Sequence, residues 1–368
     1  MTDFLNEIIG QSKAKNLLTQ FINASKIPHA LIFTGAEGVG KENAAIKFAQ
    51  AVNFDTGNQN NLISSKISQL AEPYIKYIIP LPRGKNETES SSPTEKLSDE
   101  EVELLQQELQ IKSQNHFYKI DIPKANNIKI SSIRDIKKFI SLDYTDLKFR
   151  VILISQAHRM NEEAQNALLK NLEEPPDNVI FILTTAFPSR LRETILSRCW
   201  KINFDPLSEK DVVSILCDKF NQPRELAEAV APFSGGSVLS AMALADLDFY
   251  RLKEKTISVL RYALGKRYNS AIEELNSIFS DQKPENIQLI VKMILTWLND
   301  LYKYRSGAKV FFYEDYEETL EKFNSRFPNV NLTEAVKNID RLSSIVKNNV
   351  NQNLLSTNLI FEISAITS

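Results

Sequence analysis

Cysteine is almost missing. Two, Cys199 and Cys217, serve a chain of 368 residues, which excludes a disulfide framework. No uninterrupted apolar run is long enough to span a bilayer, which excludes an evident transmembrane helix. An excess of charge of one sign is also missing. The 44 Lys and Arg nearly cancel the 46 Asp and Glu, for a formal net charge of −2. That balance excludes a grip on nucleic acid through bulk electrostatics and leaves only a local basic patch or a partner. The opening "MTDFLNEIIG" lacks the basic-then-apolar pattern of a secretory leader. These absences predict a cytoplasmic protein with no membrane partner. What remains, 43% hydrophobic and 24% charged residues, is an ordinary globular balance. The length allows two or three domains.

Periodicity then places the elements. "SKAKNLLTQFINAS" sets Leu17, Leu18, Phe21 and Ile22 at helical spacing, and "ALIFT" is a short apolar strand. "KENAAIKFAQAV" reads as the helix after it. Residues 55–115 change character: "RGKNETESSSPTEKLSDE" has almost no apolar residue, which predicts a flexible insertion, with "EEVELLQQELQ" a short helix at its end. "HFYKIDI" reads as a strand. "SSIRDIKKFISL" is an amphipathic helix with Ile133, Ile136, Phe139 and Ile140 on one face. "FRVILIS" and "VIFILTT" are strands of the kind buried on both faces, and "WKINF" is a last one. Between them, "NEEAQNALLKNLEE" is a helix capped by Asn161 and stopped by Pro175 and Pro176. Strands alternating with helices predict an α/β domain with a parallel sheet. From Pro206 the strand signals vanish and the chain reads as helical. Trp297, Leu298, Leu301 and Tyr302 are expected to form helix–helix core.

The chemistry-bearing string is "GAEGVGKEN", Gly35 to Asn43. Up to Lys41 it follows the phosphate-loop pattern, with Gly35, Gly38, Gly40 and Lys41 as the cradle, and it stands between a strand and a helix as such a loop must. The next position demands a Ser or Thr hydroxyl for Mg²⁺, and Glu42 stands there. A carboxylate near triphosphate oxygens adds repulsion of roughly 1 kcal/mol in water and about 4 at an effective dielectric of about 20. It is also a possible Mg²⁺ ligand, so Glu42 alone decides nothing. After "VILI", where an active ATPase places Asp-Glu, the chain has Ser155 and Gln156. Neither replaces a charged metal ligand and a base. The joint change predicts a loop kept as scaffold, with anion binding at the helix N-terminus left open. His158 has no Cys, His or Asp cluster beside it and reads as structural. Glu173 and Glu174 point about 100° apart on a helix and read as helix-end residues. Arg198 in "TILSRC" is either an ordinary surface arginine or one that projects into a neighbour's nucleotide site.

The strings "IIGQSKAKNLL", "PHALIFTGAEGVGKE", "NEEAQNALLKNLEEPP", "VIFILTT" and "ILSRC" together resemble the clamp-loader branch of the AAA+ family, over most of residues 1–246. The resemblance implies a P-loop domain over 1–205 with an insertion near 55–115. It also implies a small helical lid over 206–246 and an all-α collar over 247–368. The altered site looks like the delta-prime type of subunit in bacterial DNA polymerase III. Leu239 agrees, because ATPase subunits carry a nucleotide-sensing arginine there. By the same resemblance Arg198 is an arginine finger acting in trans. The partners are gamma/tau and delta subunits, with the sliding clamp and primer-template DNA in the complex. No cofactor and no metal are expected. Many relatives carry a four-cysteine zinc module after the loop helix, and this chain has no cysteine between residues 51 and 115. The alternatives are an active gamma/tau-type ATPase with Glu42 on the metal and, with less in its favour, a P-loop nucleotide kinase.

Overall fold

Short runs of Ile, Leu, Val and Phe gather into one all-parallel sheet. In the computed structural model, which describes residues 3–54, 60–85, 91–141, 147–278, 284–309, 311–345 and 352–367, the strands are β1 (Ala30–Thr34), β2 (Ile75–Ile78), β3 (Arg150–Ile154), β4 (Val179–Thr185) and β5 (Trp200–Asn203). Their spatial order is β2-β3-β4-β1-β5. The register runs Ala30 against Phe181 through Thr34 against Thr185, and Val151 against both Ile75 and Ile180. Every residue of β1 and β4 is buried, as expected of central strands covered on both faces.

The chain divides into two compact units, residues 1–220 with 236–239, and residues 221–235 with 240–368. In the first, the helices are α1 (Asp3–Asn6), α2 (Ser12–Asn23), α3 (Lys41–Val52), α4 (Asn60–Ser68), α5 (Asp99–Gln114), α6 (Ile130–Ser141), α7 (Glu162–Glu173), α8 (Glu193–Leu196) and α9 (Glu209–Phe220). Side chains alternate across a strand, so the sheet feeds two cores. Leu31, Phe33, Leu153 and Ile182 pack with Leu18 and Ile22 of α2 and Phe48 of α3. Ala30, Ile32, Ile152 and Phe181 pack on the other face with Ile133, Ile136 and Phe139 of α6 and Leu168 of α7. Each large side chain so buried contributes about 1.5–3 kcal/mol. The Asn161 side chain accepts from the Ala164 N–H at 2.9 Å, and α7 ends at Glu173, before the two prolines.

Two expectations about the first unit need correction. The stretch 55–115 is not one flexible insertion: besides the helix expected at its end, α5, it holds α4 and the edge strand β2. Its polar middle is flanked by apolar anchors, and Ile79, Leu81, Leu105, Ile122 and Ala125 form a third core. Within the part expected to be most mobile, residues 86–90 lie outside the described residues. "HFYKIDI" is not a strand but a run of turns and irregular chain. The carbonyls of His116 and Tyr118 are taken by the Lys112 ammonium, so they are not available to a ladder.

The second unit is helical: α10 (Arg224–Val230), the end of α11 (Val238–Ala245), α12 (Phe249–Leu264), α13 (Tyr268–Asn276), α14 (Pro284–Arg305), α15 (Glu317–Arg326), α16 (Leu332–Ile345) and α17 (Gln352–Ala365). Trp297, Leu298 and Leu301 of α14 are fully buried, with Trp297 edge-on to Phe323 of α15 at 5.4 Å. Tyr302 is 62% exposed, contrary to its expected place in that core. It follows Leu301 by one residue and is therefore turned about 100° away on the helix.

Candidate functional site

The loop between β1 and α3 keeps its glycines for steric reasons. Gly38 and Gly40 have φ of 77° and 91°, a region that favours glycine. A Cβ at Gly38 would lie 2.5 Å from the Ser237 hydroxyl, and one at Gly40 would lie 3.0 Å from the Phe117 ring. The chain from 236 to 239 closes on the loop, with the Val238 N–H donating to the Gly38 carbonyl at 3.0 Å. Leu239, expected in place of a sensing arginine, is thus against the loop through its backbone and Cβ.

Lys41 does not point outward. Its ammonium donates to the carbonyls of Gly35, at 2.8 Å, and Ala36, both in its own loop. Burial pushes its pKa down to about 8, opposed by the charges of Glu42 and Glu37. In a working loop this lysine reaches the phosphates.

Glu42, in the first turn of α3, turns inward. One carboxylate oxygen accepts from the Tyr77 hydroxyl of β2 at 3.0 Å and pairs with the Lys112 ammonium at the end of α5. The other accepts from the Ser155 hydroxyl at the end of β3. Burial works to raise the Glu42 pKa. The Lys112 charge, with hydrogen bonds from Lys112, Ser155 and Tyr77, outweighs it and holds the carboxyl below its ordinary range. The two altered positions read from the sequence, Glu42 and Ser155, are therefore bonded to each other. Gln156, with φ 50°, donates its N–H to the Thr184 hydroxyl at 3.3 Å. Lys112, Tyr77 and Phe117 were absent from the residues singled out in the sequence. No local pattern marks them, because each reaches the loop through tertiary packing.

His158 is buried, its Nδ1 3.1 Å from the Thr185 hydroxyl and its ring edge-on to Phe187 at 4.9 Å. Burial lowers its pKa to about 4, so it is neutral near pH 7. Arg198 lies after α8, and its contacts are with the ends of α7 and α8. One guanidinium nitrogen pairs with Glu173 at the end of α7 at 2.9 Å, and another donates to the Thr194 carbonyl at 2.9 Å. The Arg198 side chain keeps 34% of its surface exposed.

In this arrangement the groups that would meet a nucleotide and its metal ion are engaged within the chain. The lysine is latched on its own loop, the residue at the hydroxyl position is an engaged carboxylate, and the residue at the acidic position is its hydrogen-bond donor. Among the described residues no group of three or more His, Cys, Asp or Glu is placed to hold a metal ion. Among them, too, no helix is long and apolar enough to cross a membrane.

A five-stranded parallel sheet and a phosphate loop after an inner strand, with a helical unit following in the chain, define a P-loop-type α/β protein. The chain belongs to the family described as DNA polymerase III, delta subunit, whose model matches residues 10–208; the model for the C-terminal part of that subunit matches residues 248–365. Among the relatives, the DNA polymerase III tau subunit of Bacillus subtilis (strain 168) is 25% identical over 354 residues, covering 90% of this chain and 56% of that protein. The tau subunit of Escherichia coli (strain K12) is 28% identical over 247 residues, covering 65% of this chain and 32% of that protein. The chain thus spans about half of one relative's length and a third of the other's. A crystal structure of a DNA polymerase III gamma subunit-related protein from Thermotoga maritima aligns with 95% of this chain and 99% of its own, at 15% identity and a TM-score of 0.44.

Proposed function

We propose that the chain is a non-catalytic clamp-loader subunit of the delta-prime type, which takes no nucleotide cofactor and helps load a sliding clamp onto primed DNA. One observation carries the reading: the carboxylate at the metal position is committed to an internal ion pair with Lys112 and to the Ser155 hydroxyl. An active site of this class offers a free hydroxyl and a free carboxylate at those two positions. The helical segments 206–246 and 247–368 serve as lid and collar, and the partners are gamma/tau and delta subunits in the cytoplasm. At the level of the complex the chain serves a DNA-directed DNA polymerase. Arg198 supplies charge to the ATP site of an adjacent subunit.

The test is turnover by the purified chain, then co-purification with the other subunits and a second measurement in the complex. The isolated chain turns over no ATP above background, and the complex does. The matched relatives are tau subunits, which favours one second reading, an active gamma/tau-type ATPase. Turnover by the isolated chain that is lost in Lys41→Ala would establish that reading instead.

A further inference from the structure

A segment of the chain itself lies along the phosphate loop. Lys112 pairs with Glu42, the Phe117 ring lies against Gly40, and Lys119 pairs with Glu37 at 2.9 Å. Rising numbers in the segment thus meet falling numbers in the loop, so the two run antiparallel. The segment is tied to its own surroundings as well. The Asn115 side chain accepts from the Phe117 N–H at 3.1 Å and donates to the Lys219 carbonyl of α9 at 3.0 Å. Lys112 is 2% exposed, and its ammonium has three oxygen acceptors: the Glu42 carboxylate, the His116 carbonyl at 2.8 Å and the Tyr118 carbonyl at 2.6 Å. An ammonium has three donors, so all of them are used.

We propose that residues 112–119 are an internal occupant of the nucleotide site: the Lys112 ammonium takes the part of the divalent cation, beside the residue at the hydroxyl position, and Phe117 and Lys119 cover the loop that a polyphosphate would enter. The inference rests on the non-catalytic reading above and goes further, because it concerns binding and not turnover. It makes the closed loop a property of the strap as well as of Glu42. A bound Mg²⁺ sits between a hydroxyl and an acidic residue and neutralises phosphate charge. Here the cation is covalently part of the chain and its charge is already spent on Glu42. A nucleoside diphosphate or triphosphate entering the loop must break that pair, lift an apolar ring off Gly40 and free Lys41 from the Gly35 and Ala36 carbonyls. Each of these steps opposes binding.

The probe is a fluorescent ADP with Mg²⁺, titrated into the full chain. The native chain and Glu42→Thr show no saturable binding up to about 1 mM. Adding Lys112→Ala and Phe117→Ser to Glu42→Thr removes the occupant and strengthens binding at least about tenfold. Binding by Glu42→Thr alone that equals the triple variant overturns the proposal, because the strap then contributes nothing. So does a triple variant that melts cooperatively and still fails to bind. If the triple variant does not fold, hydrogen exchange on Lys119→Glu decides. That change puts like charges at the Glu37 contact on the surface, and amide exchange in 113–119 and in 38–42 should accelerate together. Acceleration in one segment only overturns the proposal. Native-chain binding of ADP without ATP turnover sinks the strap alone, whereas native-chain turnover sinks the non-catalytic reading and the strap with it.

Discussion

Arg198 is held by two contacts within its own chain, the Glu173 carboxylate and the Thr194 carbonyl. Both are at the surface, and exposed pairs of this kind are worth about 0–1 kcal/mol. The guanidinium is therefore positioned at little cost to being redirected toward an anion on a neighbour. Arg198→Ala should leave the fold and assembly intact, because its neighbours Ile195 and Cys199, not Arg198, are the buried residues. ATP hydrolysis by the assembled complex should fall, by an amount that can approach 10³ at the one affected site. The loss in the whole complex is smaller if other sites continue. Arg198→Lys should rescue poorly, since lysine lacks the planar fork of donors. Gel filtration read beside the ATPase rate checks this. An assembled Arg198→Ala complex with unchanged turnover returns Arg198 to an ordinary surface residue. Glu173→Gln is the companion: it removes the tether's charge, and the finger role requires that turnover persist.

Helix α5 shows at the scale of an element why part of the site was illegible. The strands β1, β3 and β4 were readable because a strand buried on both faces is a continuous apolar word. Strand β2 was hidden because Lys76 and Tyr77 interrupt its apolar run and leave only Ile75 and Ile78 of its four residues buried. The loop gave up Lys41 and Glu42 directly. What satisfies Glu42 was not readable, because Lys112 and Tyr77 reach it through tertiary packing, and periodicity marks neither of them as polar partners. The start of α5 carried its own signal. The Ser98 hydroxyl accepts from the Glu101 N–H at 3.3 Å while the Glu101 carboxylate accepts from the Ser98 N–H at 2.9 Å, a complete capping box. Ser98→Ala should cost about 1 kcal/mol and raise hydrogen exchange through the first two turns of α5. Unchanged exchange in 99–106 with an unchanged melting temperature would mean that the third core alone fixes this helix.

Across the whole molecule, the titrating groups divide unequally between the two units. All three histidines lie in the first unit. His116, its Nε2 3.0 Å from the Ser68 carbonyl, and His158 are both pushed down to about 4, chiefly by burial. The ordinary value is about 6.5. Between pH 6.5 and 4 the unfolded chain therefore binds protons that the folded chain refuses. Stability falls as pH falls through that window, by up to roughly 3 kcal/mol for each histidine. Below it, Glu37 and Glu42 add to the loss. Each is depressed despite burial, by Lys119 and by Lys112 respectively, so each contributes stability that disappears as pH falls through its folded value. One buried carboxyl of the second unit, Asp300, behaves oppositely. Burial raises its pKa, and a raised carboxyl contributes stability at low pH that is lost as pH rises. Acid should therefore open the first unit before the second. Each unit has one tryptophan: Trp200, 53% exposed on the edge strand β5, and Trp297, buried in α14. In a Trp200→Phe variant, fluorescence reports the second unit alone, while the ring-proton resonances of the histidines report the first. On lowering the pH from 7, the His116 and His158 resonances should move to unfolded positions while Trp297 emission stays at its buried wavelength. A red shift of Trp297 at the same pH as the histidine change, or before it, would mean that the two units share a single acid transition and that the buried histidines do not set it.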